Sequence, residues 1–265
     1  MSGAASTRRA VIARVAPALL AALAGGCDAP PALDVYAAAS LGDALREVVA
    51  VYEREAGVEV RLNLRGSGDL ARQILAARRA DVFFSAGRAE MERVAAAGLV
   101  VPGSERALLT NRLAVIAAPD APAVLARPFA PEALLDASIG RVSIAHPGIV
   151  PAGRYAREWL ERAGVWARLE ARIAPAVHAR AALAAVESGA APVGIVYASD
   201  AAASARVRLV HVVAGELAPR IEYPCAALRG GDERRALDFV AFLAGARARA
   251  VFRAHGFAPA GAEER

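Results

Sequence analysis

Leu33-Asp-Val-Tyr-Ala-Ala-Ala-Ser40-Leu41 begins as a strand and ends as the start of a helix. From Leu33 to Ala38 the residues suit a half-buried strand, whereas Leu41, Ala44, Leu45, Val48, Val49 and Tyr52 recur at the spacing of one helical face. Only small residues and Ser40 separate the two patterns, and a serine there suits a helix N-cap. The same change of period recurs outward along the chain. Val58 to Leu64 alternates with period two, then Leu70, Ile74 and Leu75 restart a helix. Further strands are predicted at Asp81–Ser85, Leu113–Ala117, Val142–Ala145, Val193–Tyr197, Val207–Val213 and Ile221–Leu228, and Asp232–Ala254 reads as one long amphipathic helix. Strands alternating with helices predict an α/β protein. About ten strands divide more readily into two sheets of about five than they join in one. The expected organisation is one lobe from 33–112 and 222–258, a second from 113–221, and a tail over 259–265, with the Pro-rich stretch Pro119–Pro131 marking passage into the second lobe.

Four places share a device in which a strand ends, one or two small or hydroxyl residues follow, and a helix begins. They centre on Ser40, on Ser67 in Arg65-Gly-Ser67-Gly-Asp69-Leu70, on Ala152 in Val150-Pro-Ala152-Gly, and on Ala179 in Val177-His-Ala179-Arg. Each helix start offers unused N–H donors and about half a positive charge. Four converging would offset roughly two negative charges without a cationic side chain, which suits a desolvated dianion. A serine at such a place also has a purely structural use as a cap.

Composition excludes other classes. The chain of 265 residues is 56% hydrophobic and 22% charged, enough to bury one large core or two smaller ones. Its net charge of +5 does not imply nucleic-acid binding. Arg8, Arg9 and Arg14 lie in the acid-free first 26 residues, leaving 29 arginines against 27 acids in the remainder and no basic run. All 32 basic residues are arginine, a compositional bias and not a function.

Residues 1–26 read as a secretory leader, with basic Thr7-Arg8-Arg9 followed by the apolar stretch Val15–Ala24, which is too short to span a bilayer. Leu23-Ala24-Gly25-Gly26-Cys27 resembles a bacterial lipobox, so Cys27 is the expected lipidation site and first mature residue, with 27–32 as a tether. The alternative is an ordinary cleaved leader. Cys225, in an apolar run, is expected to be a small buried hydrophobe.

Several stretches together resemble the molybdate-binding proteins of bacterial ABC importers. They are Tyr36-Ala-Ala-Ala-Ser-Leu41, Leu70-Ala-Arg-Gln-Ile74, Ala80-Asp-Val-Phe-Phe-Ser-Ala86, Val150-Pro-Ala-Gly153, Gly194-Ile-Val-Tyr-Ala-Ser-Asp200, Glu222-Tyr-Pro224 and His255-Gly-Phe257, and the likeness runs from Leu33 to Phe257. It implies a two-lobed periplasmic-binding-protein fold of type II, two mixed sheets flanked by helices with a ligand cleft between them. It also implies capture of molybdate, and tungstate with it, for delivery to a membrane permease, with no catalysis, no cofactor and no direct metal ligand. The expected protein is a monomer, periplasmic or on the outer face of the cytoplasmic membrane, tethered through Cys27. Carried over residue by residue, the oxyanion falls to Ser40, Ser67, the main chain of Ala152 and Ala179, and the phenol of Tyr197. Gly66 and Gly68 replace hydroxyl residues found in some members, leaving backbone N–H groups in their stead. Arg65, Arg154 and Arg180, close in sequence to these positions, are expected to be solvated rim residues.

Rival readings are weaker. Another tetrahedral oxyanion, sulfate first, would suit the same scaffold. Gly66-Ser-Gly68-Asp-Leu-Ala71 matches a loose dinucleotide fingerprint, but Asp81 comes too early for its acidic partner. Ser67 with His178 as base would make a serine hydrolase, yet Arg65 and Asp69 occupy the glycine places of the nucleophile elbow.

Overall fold

The computed structural model describes residues 32–125 and 128–261; the leader and Cys27 lie outside them. Two mixed sheets form the frame, as expected. The first contains β1 (Leu33–Ala38), β2 (Val60–Arg65), β3 (Val82–Phe84), β4 (Arg106–Asn111), β10 (Ile221–Ala227) and β11 (Ala258–Pro259) in the order β11-β4-β10-β3-β1-β2. The second contains β5 (Leu113–Ala117), β6 (Val142–Ala145), β7 (Ile173–Ala176), β8 (Val193–Tyr197) and β9 (Arg208–Val212) in the order β7-β6-β8-β5-β9. Each sheet has a parallel part, β2-β1-β3 and β7-β6-β8, built by helical crossovers, and an antiparallel part contributed by strands that arrive from the other lobe or from the chain end.

The helices are α1 (Gly42–Ala56), α2 (Ser67–Ala77), α3 (Arg88–Ala96), α4 (Pro151–Arg162), α5 (Trp166–Leu169), α6 (Ala179–Glu187), α7 (Ala198–Ala202), α8 (Glu233–Leu243) and α9 (Ala246–Ala254). The central strands β3, β5, β6, β8 and β10 are buried along their whole length, which is why they read as unbroken apolar runs. Helices α1, α8 and α9 close over the first sheet through Tyr52, Phe239 and Phe252, where the Tyr52 and Phe239 rings meet edge to face at 4.8 Å.

Three features differ from the sequence reading. The closing helix is two helices, broken at Ala244–Gly245, so that α9 turns to pack on α1. The Pro-rich stretch lies after β5 and does not mark the passage: the chain crosses between sheets at Arg112, one residue separating β4 from β5, and returns between Val212 and Ile221, in keeping with the lobe limits at 112/113 and 221/222. Ile221 and Pro259 pair within the first sheet, one residue beyond the ranges read for that lobe. Cys225 is buried in β10, where burial raises its thiol pKa.

Candidate functional site

Six strands, β1, β2 and β3 of the first sheet and β6, β7 and β8 of the second, end around a single small cavity, the usual ligand position in open α/β sheets. Reckoned as space for the centre of a water-sized sphere, its volume is about 10 Å³. That is room for one compact species and not for an extended chain. Ser40, Ser67, Ala152, Ala179 and Tyr197 all line it. Arg65 and His178 are the titratable side chains in the lining besides Tyr197, and no carboxylate is among them.

Neither serine caps its helix. Ser40 lies inside a 3-10 turn (Ala39–Leu41) that leads into α1, with its hydroxyl 3.2 Å from that of Tyr223. Ser67 is the first residue of α2, with Gly66 as the cap, and its Oγ accepts the Ala86 N–H at 3.0 Å. Both serines are buried, at 4% and 2% exposure, although a serine used only as a cap has no need to be. Their placement on the cavity accounts for the burial.

The second lobe contributes main chain. Pro151 and Ala152 open α4, and Ala179 opens α6, so Ala152 and Ala179 bring first-turn N–H groups that a helix cannot use internally. His178 caps α6, its Nδ1 accepting the Ala181 N–H at 3.0 Å. That bond places the neutral ring's proton on Nε2, and burial lowers the imidazole's pKa. His178 therefore serves as a cap and not as the base of a hydrolase. Tyr197, at the end of β8, donates to the Ala86 carbonyl across a long 3.5 Å, and burial raises its phenol well above the ordinary range, keeping it a neutral donor.

Ala86 stands on a fifth strand-to-helix turn, Ser85-Ala86-Gly87, that the sequence reading does not count. Its N–H serves Ser67 of its own lobe while its carbonyl receives Tyr197 of the other.

The two lobes meet closely beside the cavity. A Cβ on Gly68 would lie 2.6 Å from the Ile149 carbonyl oxygen, and one on Gly66 would lie 3.2 Å from that of Val177. These glycines let two backbones touch, a role the sequence reading missed by treating them only as N–H donors. Two of the three arginines expected on the rim instead bridge the lobes. Arg154 Nη2 donates to both oxygens of buried Glu90 at 2.7 and 2.8 Å. Arg180 joins Asp43 of α1, at 2.6 Å, to Asp200 of α7, at 2.7 Å. Burial raises the Asp200 carboxyl to about 7, outweighing the opposing pull of Arg180. Arg65 stays exposed at the cavity edge.

A family model described as bacterial extracellular solute-binding protein matches residues 33–258. The molybdate-binding protein ModA of Escherichia coli is 36% identical over 231 residues, covering 85% of this chain and 88% of that protein. ModA of Haemophilus influenzae is 34% identical over 241 residues, covering 90% and 94%. Among solved structures, the periplasmic molybdate-binding protein of Azotobacter vinelandii superposes with a TM-score of 0.74 at 23% identity, covering 85% of this chain and 98% of that one, a likeness of fold. These relatives are solute-binding proteins and not enzymes. The chain belongs to the bacterial extracellular solute-binding proteins, alongside their molybdate-binding members.

Proposed function

We propose that this protein captures molybdate, and tungstate with it, between its two lobes and delivers the ion to the permease of an ABC importer. The observation that carries the reading is the meeting of Ser40, Ser67, Ala152, Ala179 and Tyr197 around one compact cavity with no carboxylate. Neutral donors suit a dianion: two serine hydroxyls, two N–H groups from helix starts whose dipoles add favourable potential, and the Tyr197 phenol once it exchanges its long bond to the Ala86 carbonyl for the ion. Sulfate is also a tetrahedral dianion but smaller, so donors spaced to meet molybdate would stand too far from some of its oxygens for good hydrogen bonds. Export by the leader at 1–26, acylation of Cys27 and action as a tethered periplasmic monomer belong to the same proposal, and the lobes 33–112 with 222–258 and 113–221 are its moving parts.

Isothermal titration of the chain with molybdate, tungstate, sulfate and phosphate tests it. One-to-one binding of the first two with little heat from the others is expected. Binding of sulfate with silence toward molybdate would keep the scaffold and overturn the ligand.

A further inference from the structure

The Ser40 and Tyr223 hydroxyls lie 3.2 Å apart, and taken alone either could donate to the other. The direction is set farther along. The Arg112 backbone N–H, at the crossing between sheets, donates to Asn111 Oδ1 at 2.9 Å, which orients the amide with Nδ2 on the opposite side. Asn111 Nδ2 in turn donates to Ser199 Oγ at 2.8 Å and to Tyr223 Oη at 3.3 Å. Tyr223 is fully buried, and burial, reinforced by the nearby Asp200 carboxylate, raises its phenol pKa so that it stays protonated. With its oxygen accepting from Asn111, its proton has Ser40 Oγ to go to. Reversing that bond would set two protons against each other at Tyr223 or strand a buried O–H.

We propose that Asn111 and Tyr223 are positioning residues that set which oxyanions the cleft accepts, by occupying one acceptor position of Ser40 and so turning its proton toward the ion. The relay runs from the Arg112 amide through Asn111 and Tyr223 to Ser40, and neither Asn111 nor Tyr223 lines the cavity. Ser67 is held the same way by the Ala86 N–H. A fully deprotonated dianion takes both serine protons. An oxyanion that carries a proton of its own meets the serine proton where it would need an acceptor, and binds less well at that corner. The inference deepens the oxyanion reading proposed above and rests on it.

Titration of the full chain and its variants with molybdate and with arsenate, a tetrahedral oxyanion that is protonated at neutral pH, tests the relay. In the Tyr223→Phe variant the Ser40 lone pair is released, so molybdate binding weakens while arsenate binding strengthens, and the molybdate-to-arsenate affinity ratio falls about tenfold. Asn111→Leu cuts the relay one link earlier and lowers the same ratio by a smaller factor. If Tyr223 only supports packing, both ions weaken by one common factor and the ratio stands still, which overturns the proposal. Should Tyr223→Phe melt far below the wild type, Asn111→Leu supplies the ratio. A wild-type protein that prefers arsenate would overturn molybdate as the ligand, whereas one that prefers molybdate with a ratio unmoved by either variant overturns the relay alone.

Discussion

The two lobes reach the same cavity by different chemistry. The first presents hydroxyl side chains, Ser40 and Ser67, each hydrogen-bonded to a group of its own lobe. The second presents helix starts, Ala152 and Ala179, whose donors belong to the backbone, with Tyr197 as its single hydroxyl. A side-chain donor is removed by any substitution of that residue and needs partners to aim it. A main-chain donor survives every substitution except proline, and is aimed by the helix itself. Under the proposed function the first lobe is the place for selectivity to be adjusted, and the second the place where affinity for negative charge is hardest to lose.

The largest expected effect falls on the hydroxyl side. Ser67→Ala removes a donor to the ion and leaves the buried Ala86 N–H without its partner, so affinity for molybdate should fall by about 3 kcal/mol, roughly two orders of magnitude, in titration calorimetry. A loss under tenfold would break the division between lobes. Next comes the main-chain side. Ala179 is the first residue of α6, where proline is well tolerated, and His178 before it is extended at φ −163° and ψ 173°, as a residue preceding proline prefers. Ala179→Pro should cost about 2 kcal/mol of affinity while leaving the melting temperature unchanged. Unaltered affinity would mean that the second lobe does not bind through this amide.

The smallest effect concerns stability. Asp200 has a folded pKa of about 7 because it is buried, against an ordinary carboxylate value near 3.9 when unfolded. Between these values the folded protein holds a proton that the unfolded chain has released, so rising pH favours unfolding across that window. Melting temperatures measured from about pH 4 to about pH 7 should drift down by a few degrees from this group in the wild type, and Asp200→Asn should flatten that drift. A variant with the same slope would show that Arg180 keeps Asp200 charged throughout.

Most of the fold is legible along the chain because strands buried on both faces write themselves as apolar runs, as β5, β6 and β8 do. Strand β7 escapes notice: Ile173-Ala-Pro-Ala176 is short, carries a proline and sits at the sheet edge, where the missing N–H costs nothing. Strand β4 is equally quiet, flanked by Arg106 and Asn111. The break between α8 and α9 falls in an amphipathic pattern that runs on across Gly245, and the packing of α9 against α1 decides it. At the site, the strand-to-helix turns around Ser40, Ser67, Ala152 and Ala179 are visible as local patterns, and Tyr197 enters by resemblance. The groups that aim them are not. Tyr223 stands 183 positions from Ser40, and no local pattern links them, although Glu222-Tyr-Pro224 lies among the stretches that carry the family resemblance. Glu90 and Arg154 escape for the same reason, since an ion pair across lobes leaves no periodic trace.

The contact of Gly68 with the Ile149 carbonyl has a kinetic consequence. If, as proposed, the ion is bound between lobes whose backbones approach this closely, its departure should be slowed until the lobes separate, and its residence time should track those separations. Weakening the bridge from Arg154 to Glu90 should then shorten residence while the rate of capture, governed by the parted form, stays the same. In the cell, a permease that pries the lobes apart would set the pace of release, and the protein alone would act as a store.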